Sequence, residues 1–594
     1  MLYLRVLLQD LEEWCSTSTD RDFKTVSDRV EHEGLSFLTI TLPNFCKDFE
    51  QALALGSVAP SHFAGFSRDG CLPRFLGGFT ERVFDRKTGV LLDLPDVGSV
   101  SAVRQITLSF GKLKIACSEE RVKGAFKQYF ECERELERDL EAIGPPMWER
   151  FRRLAARLWS DVGHDVLRSF LNGDFEPQHG PGSTADSIIG NDKWKFVSWP
   201  ERLDREFDFV SCLAPNSRWV SHLDDVEFPE PGDELPVKVV HVPKTLKTPR
   251  IIAMEPCSTM FVQQGLYKLL SGAIHRDDIL RSFIGWESAE PNQLCARLGS
   301  LTGSLATLDL SEASDRVSTL HVQHLFGRHH RLTRLIMAAR TPKAEVPGYG
   351  IIPLTKYASM GSALTFPLEA MVFLTIVFFG IEESLNTRLT RDEMLSYRGS
   401  VRVYGDDIIV PVDHVVSVMK ALRQFGFRVN TTKSFWTGKF RESCGKEYYD
   451  GSDVSVVRVR YLFPSDRRQT RELESIVSLR NQHYYAGNWR VVRWLDHYIE
   501  RLIPFPVVAP TARVLGRNSF LGYEVQKEDK DLQTPLVKGA CILSPIPASV
   551  LDGVYALHKT LSTATGLPNP DERHLERAGR PRSSYTKVGM YRPY

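Results

Sequence analysis

The stretch Val401-Arg-Val-Tyr-Gly-Asp-Asp-Ile-Ile-Val410 restricts the fold of this chain more than any other. Two β-rich runs flank Gly405-Asp406-Asp407, which predicts a tight hairpin with the acids at its tip. The plain alternative is a turn whose aspartates face water, since a Gly-Asp-Asp triplet arises by chance in roughly one chain in seven of this length.

A second run, Ser304-Leu-Ala-Thr-Leu-Asp309, reads as a strand ending in an acid, followed by Leu310-Ser-Glu-Ala-Ser-Asp315. Ser311 is the expected N-cap of the next helix, with Val317, Leu320, His324 and Leu325 on its buried face. If the Asp309 strand pairs beside the hairpin, strands about 4.8 Å apart bring Asp309 and Asp406 close enough to share metal ions, with Asp407 as the third carboxylate. Mg²⁺ takes oxygen ligands and keeps several waters, so a few aspartates and substrate phosphates complete its shell, and Mn²⁺ is a possible substitute. Two such ions roughly 4 Å apart suit an in-line phosphoryl displacement. Asp315 has a competing explanation, a favourable charge in the first turn of a helix.

Composition narrows the class but not the function. The chain has 594 residues, 42% hydrophobic and 25% charged, which fits a soluble globular protein of several packed subdomains. Its 75 basic and 74 acidic residues leave a formal charge of +1, so any attraction for nucleic acid must come from local segregation of charge. The start, Met-Leu-Tyr-Leu-Arg-Val-Leu-Leu, is too short for a signal-peptide core and reads as mature protein. The longest apolar run, Ala370 to Ile381, falls short of the ~20 residues of a membrane span and reads as a buried helix. Ten scattered cysteines without a C-x-x-C pair argue against a zinc site or a disulfide framework and fit a reducing cytoplasm.

Helical patterns are expected over Ser118–Ala142, up to the stop signal Gly144-Pro145-Pro146, and over Trp148–Leu171. The loop His179–Thr184 has no function legible in its residues. From Val237 the texture changes to short β runs: Val237–Val242, Ile251–Met254, Leu305–Leu308, Val401–Tyr404, Ile408–Val410 and Val456–Tyr461. Mixed elements without strict alternation predict an α+β sheet domain with helices packed on one face. After residue 466 the chain again reads mostly helical. Arg577–Tyr594, with five basic and no acidic residues, is either an RNA-touching tail or a solvated end.

Taken in order, these residues resemble the palm of RNA-dependent RNA polymerases, and more closely the catalytic β subunit of leviviral (Qβ-type RNA phage) replicases. The likeness rests on Val242-Pro-Lys-Thr-Leu-Lys-Thr-Pro-Arg250 with Glu255-Pro256, Ala306–Asp315, Ser359-Met-Gly-Ser-Ala-Leu-Thr-Phe-Pro-Leu-Glu369, Tyr404-Gly-Asp-Asp407, Gly426–Lys433 and Phe440–Lys446 through Asp453-Val454. It covers about Val242 to Tyr461. Where leviviral replicases carry Asn-Gly, this chain has Ser362-Ala363.

The resemblance implies a right-hand fold of fingers, palm and thumb. Its divisions would be an N-terminal region over 1–105 associated with fingers and thumb, fingers with a basic nucleotide-admitting hairpin over 106–300, a palm over 301–465, and a thumb with a basic tail over 466–594. Asp309, Asp406 and Asp407 would hold two Mg²⁺ ions, and Lys433 would protonate departing pyrophosphate. Lys244, Lys247 and Arg250 would meet the incoming triphosphate, while Ser314, Asp315, Ser359, Gly361, Thr365 and Glu369 would line the nucleotide. On physical grounds a basic hairpin neutralises phosphates. Gly361 permits a bend or a close approach, and a glutamate in an apolar helix is costly to bury unless bonded.

The implied activity is primer-independent copying of a single-stranded RNA phage genome from ribonucleoside triphosphates, in the cytoplasm of the infected bacterium. The implied partners are host elongation factors Tu and Ts and a small-subunit ribosomal protein, with no membrane. A reverse transcriptase, a palm-like cyclase and an RNA-binding scaffold with an inactive palm are the rivals. The Phe440–Lys446 segment, the Ser359 and Arg250 elements, and the presence of all three acids count against them in turn.

Overall fold

Leu305–Leu308, Asp407–Pro411 and Arg402–Tyr404 form an antiparallel sheet in that order, with Asp407–Pro411 in the middle. This computed structural model describes residues 1–213, 226–545, 551–564 and 583–594. Both faces of the sheet are covered, so the expectation of helices on one face is corrected. Ala306, Leu308, Ile408 and Val410 join the core that contains the helix Thr365–Leu385, while on the other face the helix Glu290–Thr302 brings Gly299 against Leu305. The cause lies in the strands: Leu-Ala-Thr-Leu and Ile-Ile-Val offer no polar alternation to leave one face in water.

The helix Thr365–Leu385 is apolar on all sides, and 94% of its most apolar window is buried inside the protein. By length and composition alone it could cross a membrane. It instead supports the sheet, contacting the Arg402–Tyr404 strand at one edge and the helices Val415–Gln424 and Pro145–Leu171 elsewhere. Its two buried acids, Glu369 and Glu382, interrupt the apolar surface near opposite ends.

A second sheet orders Arg250–Met254, Val237–Val242, Lys343–Val346 and Gly350–Pro353. The first two strands pair antiparallel, with Val242 opposite Arg250, so the intervening Pro243–Pro249 loop displays Lys244 and Lys247 at a hairpin end. The predicted helices form as Glu119–Glu141, N-capped by Ser118, and Pro145–Leu171, with its proline in the first turn where no N–H is required.

The apolar interior falls into two large cores that cut across linear divisions of the chain. One gathers Leu136 to Phe427, with Val554. The other joins the N-terminal helices, from Tyr3 to Leu113, to Phe435, Phe440 and the helices Thr470–Tyr485 and Trp489–Glu500. Arg104 crosses within this second core, 1% exposed, with Glu50 at 2.9 Å and Glu447 at 2.8 Å. All ten cysteines are unpaired thiols.

Three further sequence expectations need correction. Ser311 is not an N-cap: Leu310–Ser311 pairs as a short strand with Arg428–Val429, Glu312 turns through a left-handed φ of 56°, and Ser314–Arg316 is a single 3₁₀ turn. The helix begins only at Thr319, capped by Ser318 with His321 in a reciprocal capping box, and Leu320 is 38% exposed rather than buried. Val456–Tyr461 pairs with no strand among the described residues, because Gln105 and Ser109 at the end of the helix Val97–Leu108 bind Val457 and Val459 directly. After residue 466 two helices are followed by strands. Within Pro535–Leu543, Val537 to Leu543 pair with Tyr585–Tyr591, so that part of the basic tail is sheet; Arg577, Arg580 and Arg582 lie outside the described residues.

Candidate active site

The antiparallel register fixes the first two acids. Ile408 pairs with Leu308, and one further step places Asp407 opposite Asp309, on the same face by strand alternation. The hairpin turns through Gly405 and Asp406 between the paired residues Tyr404 and Asp407. Gly405 takes φ 60°, and a Cβ there would lie 2.3 Å from Cε2 of Phe366, so glycine is required twice over. Asp406 is exposed at the tip, while Asp309 and Asp407 are half-buried.

The acids share one electrostatic neighbourhood. Burial first, then the neighbouring Asp406 and Asp309, push Asp407 up to about 6. Asp309 is also raised, chiefly by burial, with Asp406 adding to the effect and Lys433 and Asn430 opposing it. Asn430 Nδ2 donates to Asp309 Oδ2 at 2.9 Å, and Lys433 Nζ stands 3.7 Å from the same oxygen. Ser443 Oγ donates to Asp407 Oδ1 at 3.5 Å from the hairpin Phe440–Tyr449, whose two-residue turn, Cys444-Gly445, has both φ values positive.

The donor set is that of a hard cation, since carboxylate oxygens that repel one another gain from a shared positive charge. Among the described residues, no three His, Cys, Asp or Glu side chains are grouped so as to hold a metal ion as they stand. Asn430 and Lys433 both engage Asp309 through Oδ2, and Oδ1 has no hydrogen-bond partner among the described residues.

Basic residues face this cluster. Lys244 is lowered by desolvation and by Arg250 and Lys433, with Asp309 and Asp406 pulling it back, which places all five in one field. Lys247 connects to this field only through Lys47, which it and Lys433 both lower, after burial. Burial alone would lower Lys433, but Asp309, Glu442, Asp406 and Asp407 outweigh it and the net shift is upward.

The residues implied to line the nucleotide fall into two linked networks. Ser314 Oγ donates to Glu369 Oε2 at 2.6 Å, and burial, helped by Asp406 and Asp315, pushes Glu369 up to about 8. Asp315 Oδ1 meets Lys356 Nζ at 2.8 Å; that ammonium is fully buried, 3.0 Å from Glu133 and 3.5 Å over the Tyr129 ring. Tyr129 Oη and Ser359 Oγ are 2.6 Å apart, and Thr365 Oγ1 donates to the Ser359 carbonyl at 2.9 Å. Ser359 and Thr365 thus have internal partners. The close approach made by Gly361 is to protein: at φ 136° its Cβ would lie 2.0 Å from the Ala253 carbonyl oxygen, tying this loop to the Arg250–Met254 strand. Ser362 Oγ and the Ala363 N–H both donate to Gln263 Oε1.

Sequence reasoning missed Lys356, Glu133, Tyr129 and Glu442. Glu442, partly buried and beside Glu447, is pushed up to about 7, first by burial and then by Glu447, and bears on Lys433. Its signal was available, because it lies inside the quoted Phe440–Lys446 segment. The loop His179–Thr184 proves structural: His179 packs among Trp194, Phe196 and Phe261, and Lys193 Nζ donates to the Gly180 and Gly182 carbonyls.

Comparison with known proteins gives concordant likenesses. The model of the family "RNA replicase, beta-chain" matches residues 234–495. The RNA-directed RNA polymerase subunit beta of Escherichia virus Qbeta is 34% identical over 289 residues, which are 48% of this chain and 45% of that protein. The corresponding subunit of Qbeta virus (strain MX1) is 38% identical over 289 residues, and the beta chain of Escherichia phage MS2 is 35% identical over 222, 37% of each chain. The chain spans less than half the length of these curated relatives. A solved BmCPV RNA-dependent RNA polymerase at elongation state shares 12% identity at a TM-score of 0.37, over 60% of this chain and 34% of that one.

Proposed function

We propose that this chain, whose residues 234–495 match the model of the RNA replicase beta-chain family, is an RNA-directed RNA polymerase that copies a single-stranded RNA phage genome from ribonucleoside triphosphates, without a primer. The observation that carries the reading is the register that sets Asp309 opposite Asp407 beside the Asp406 tip, with Lys244 and Lys433 in the same field.

Asp309, Asp406 and Asp407 are the residues to hold two Mg²⁺ ions, or Mn²⁺. When bound, such ions lower the pKa of the attacking hydroxyl and neutralise the phosphates. The rest of the work falls to the chain's own side chains. Lys244, Lys247 and Arg250 draw the triphosphate toward the acids, Arg250 through its planar two-pronged guanidinium. Lys433, held protonated by four carboxylates, is placed to give a proton to the departing pyrophosphate. Glu369, protonated at neutral pH, fixes Ser314 without adding a fourth negative charge beside Asp406. Asp315 is oriented by Lys356, leaving its second oxygen for a ribose hydroxyl.

Fingers over 106–300, a palm over 301–465 and a thumb from 466, with 1–105 packed against the thumb helices, are the corresponding divisions. Host elongation factors Tu and Ts and a ribosomal protein in the bacterial cytoplasm complete the proposal. Its test is purified chain, with and without those factors, given single-stranded RNA, four ribonucleotides and Mg²⁺ but no primer. Product only from primed RNA would refute primer independence; no product from any RNA, with every factor present, would refute the activity.

A further inference from the structure

Beside the helix Pro145–Leu171 opens a cavity of about 710 Å³ that the reaction above does not use. Arg150, Arg152, Arg153, Arg328 and Arg388 line it against a single lining acid, Glu149. It is remote from the catalytic acids. Arg150 and Arg153 are anchored to Glu382, thirteen residues along the helix Thr365–Leu385 from Glu369, which is about 20 Å at 1.5 Å per residue.

The charge in the cavity exceeds what its own acids satisfy. Glu382, 1% exposed, accepts from Arg150 and Arg153, and Glu383 takes a second nitrogen of Arg150. Arg153 Nη1 is nevertheless buried with no hydrogen-bond partner among the described residues. Among the described residues Arg152 pairs only with the exposed Glu149, a pair worth little in water. Arg328 and Arg388 are exposed and form no ion pair among the described residues. His324 and His329, also on the wall, are lowered first by burial and then by neighbouring groups, Arg152 for the one and His164 with Arg328 for the other.

The cations on the wall are all arginine, with no lysine among them. A guanidinium keeps its charge when crowded and presents paired N–H donors that match the oxygens of a phosphate. A cavity of this size admits a phosphate group together with the sugar that carries it. We propose that it is a phosphate-binding site, separate from the catalytic centre, that holds a backbone phosphate of RNA or the phosphate tail of a nucleotide. Only the choice of RNA as one source rests on the polymerase reading.

The test uses the full chain in chelator, so no synthesis is required and failure of the polymerase reading leaves it standing. Binding of labelled single-stranded RNA and of labelled ATP is measured across a salt series for wild type, Arg328→Glu/Arg388→Glu, the neutral pair Arg328→Gln/Arg388→Gln, and a control pair at exposed arginines elsewhere, Arg21→Glu/Arg493→Glu. With RNA as the ligand, the cavity reversal lowers affinity about tenfold at low salt. Its plot of log affinity against log salt flattens by about 1.4, or about 0.7 for each phosphate that is no longer neutralised. The glutamine pair gives a smaller drop of the same sign, the control pair leaves the salt slope intact, and thermal unfolding is unchanged because neither side chain is paired. Loss of ATP binding with RNA binding intact assigns the site to a nucleotide. If both ligands bind the reversed and wild-type chains alike, or if the control pair reproduces the drop, the cavity is no phosphate site.

Discussion

Lys433 Nζ stands 3.7 Å from Asp309 Oδ2, and the net effect of its surroundings is to raise its pKa. Burial pulls the other way and loses to four carboxylates, so the lysine stays protonated at neutral pH, as a proton donor to pyrophosphate must. Arginine would keep the charge but release no proton. Lys433→Arg is expected to slow single-turnover nucleotide addition about a hundredfold with RNA affinity unchanged, measured by rapid quench and by filter binding on one preparation. Equal rates would reduce Lys433 to a counter-charge for Asp309.

Gly405 is predicted to tolerate no side chain. Alanine would carry the left-handed penalty of about 1–2 kcal/mol. It would also place a Cβ within 2.3 Å of the Phe366 ring. Gly405→Ala should therefore lower both thermal stability and incorporation. Adding Phe366→Ala relieves the collision but not the backbone strain, so the double variant should be less unstable than the sum of the singles by about 1 kcal/mol. Additive singles would mean that the hairpin shifts away from the ring on its own.

Glu369 makes stability depend on pH with a definite sign. The folded chain pushes this carboxyl from 4.5 up to about 8, mainly by burial. Between those values the unfolded chain releases the proton and the folded chain keeps it, so stability falls as pH rises and levels off above the folded value. A glutamine in its place would keep an acceptor for Ser314 and never ionise. The advantage of Glu369→Gln in melting temperature over wild type should thus grow from about pH 5 to about pH 8. A difference that is flat across that range would show that this carboxyl does not titrate in that window.

What could be read in the sequence follows from the range of the interactions involved. The Gly405 turn and its flanking strands depend on neighbours in the chain, and Glu369 stands out because a charged residue interrupts an apolar helix. Lys356 gave no such sign: Asp315 reaches it from the Ser314–Arg316 turn and Glu133 and Tyr129 from the distant helix Glu119–Glu141, and nothing in the residues around it marks it as buried. The N-cap shifted from Ser311 to Ser318 because Leu310–Ser311 found a strand partner in Arg428–Val429, a tertiary pairing that outweighs local capping preference. Val456–Tyr461 has strand composition, but the backbone donors of Val457 and Val459 are taken by Gln105 Oε1 and the Ser109 carbonyl. Arg441, fully buried and donating to the Leu305 carbonyl at 2.6 Å, steadies the strand that leads to Asp309. Its role depends on where two distant segments cross.

The functional reading rests most heavily on Asp406, and Asp406→Asn is expected to abolish nucleotide incorporation while leaving the fold and RNA binding in place. Asparagine preserves size and one carbonyl ligand but removes the charge that holds a hard cation. The hairpin itself has no need of that charge, because the turn depends on Gly405 and the Asp407–Tyr404 pairing, and the Asp406 side chain projects from an exposed tip. Removing it also relieves Asp309, Asp407 and Glu369, all of which it pushes upward. In the absence of metal the variant should therefore melt no lower than wild type, and slightly higher where those groups are ionised. Thermal unfolding, RNA binding and RNA synthesis across a magnesium titration, all on the same preparation, separate the outcomes. A folded Asp406→Asn chain that polymerises at the wild-type rate at every magnesium concentration would remove Asp406 from the site, and with it the assignment of this hairpin to metal-assisted nucleotidyl transfer.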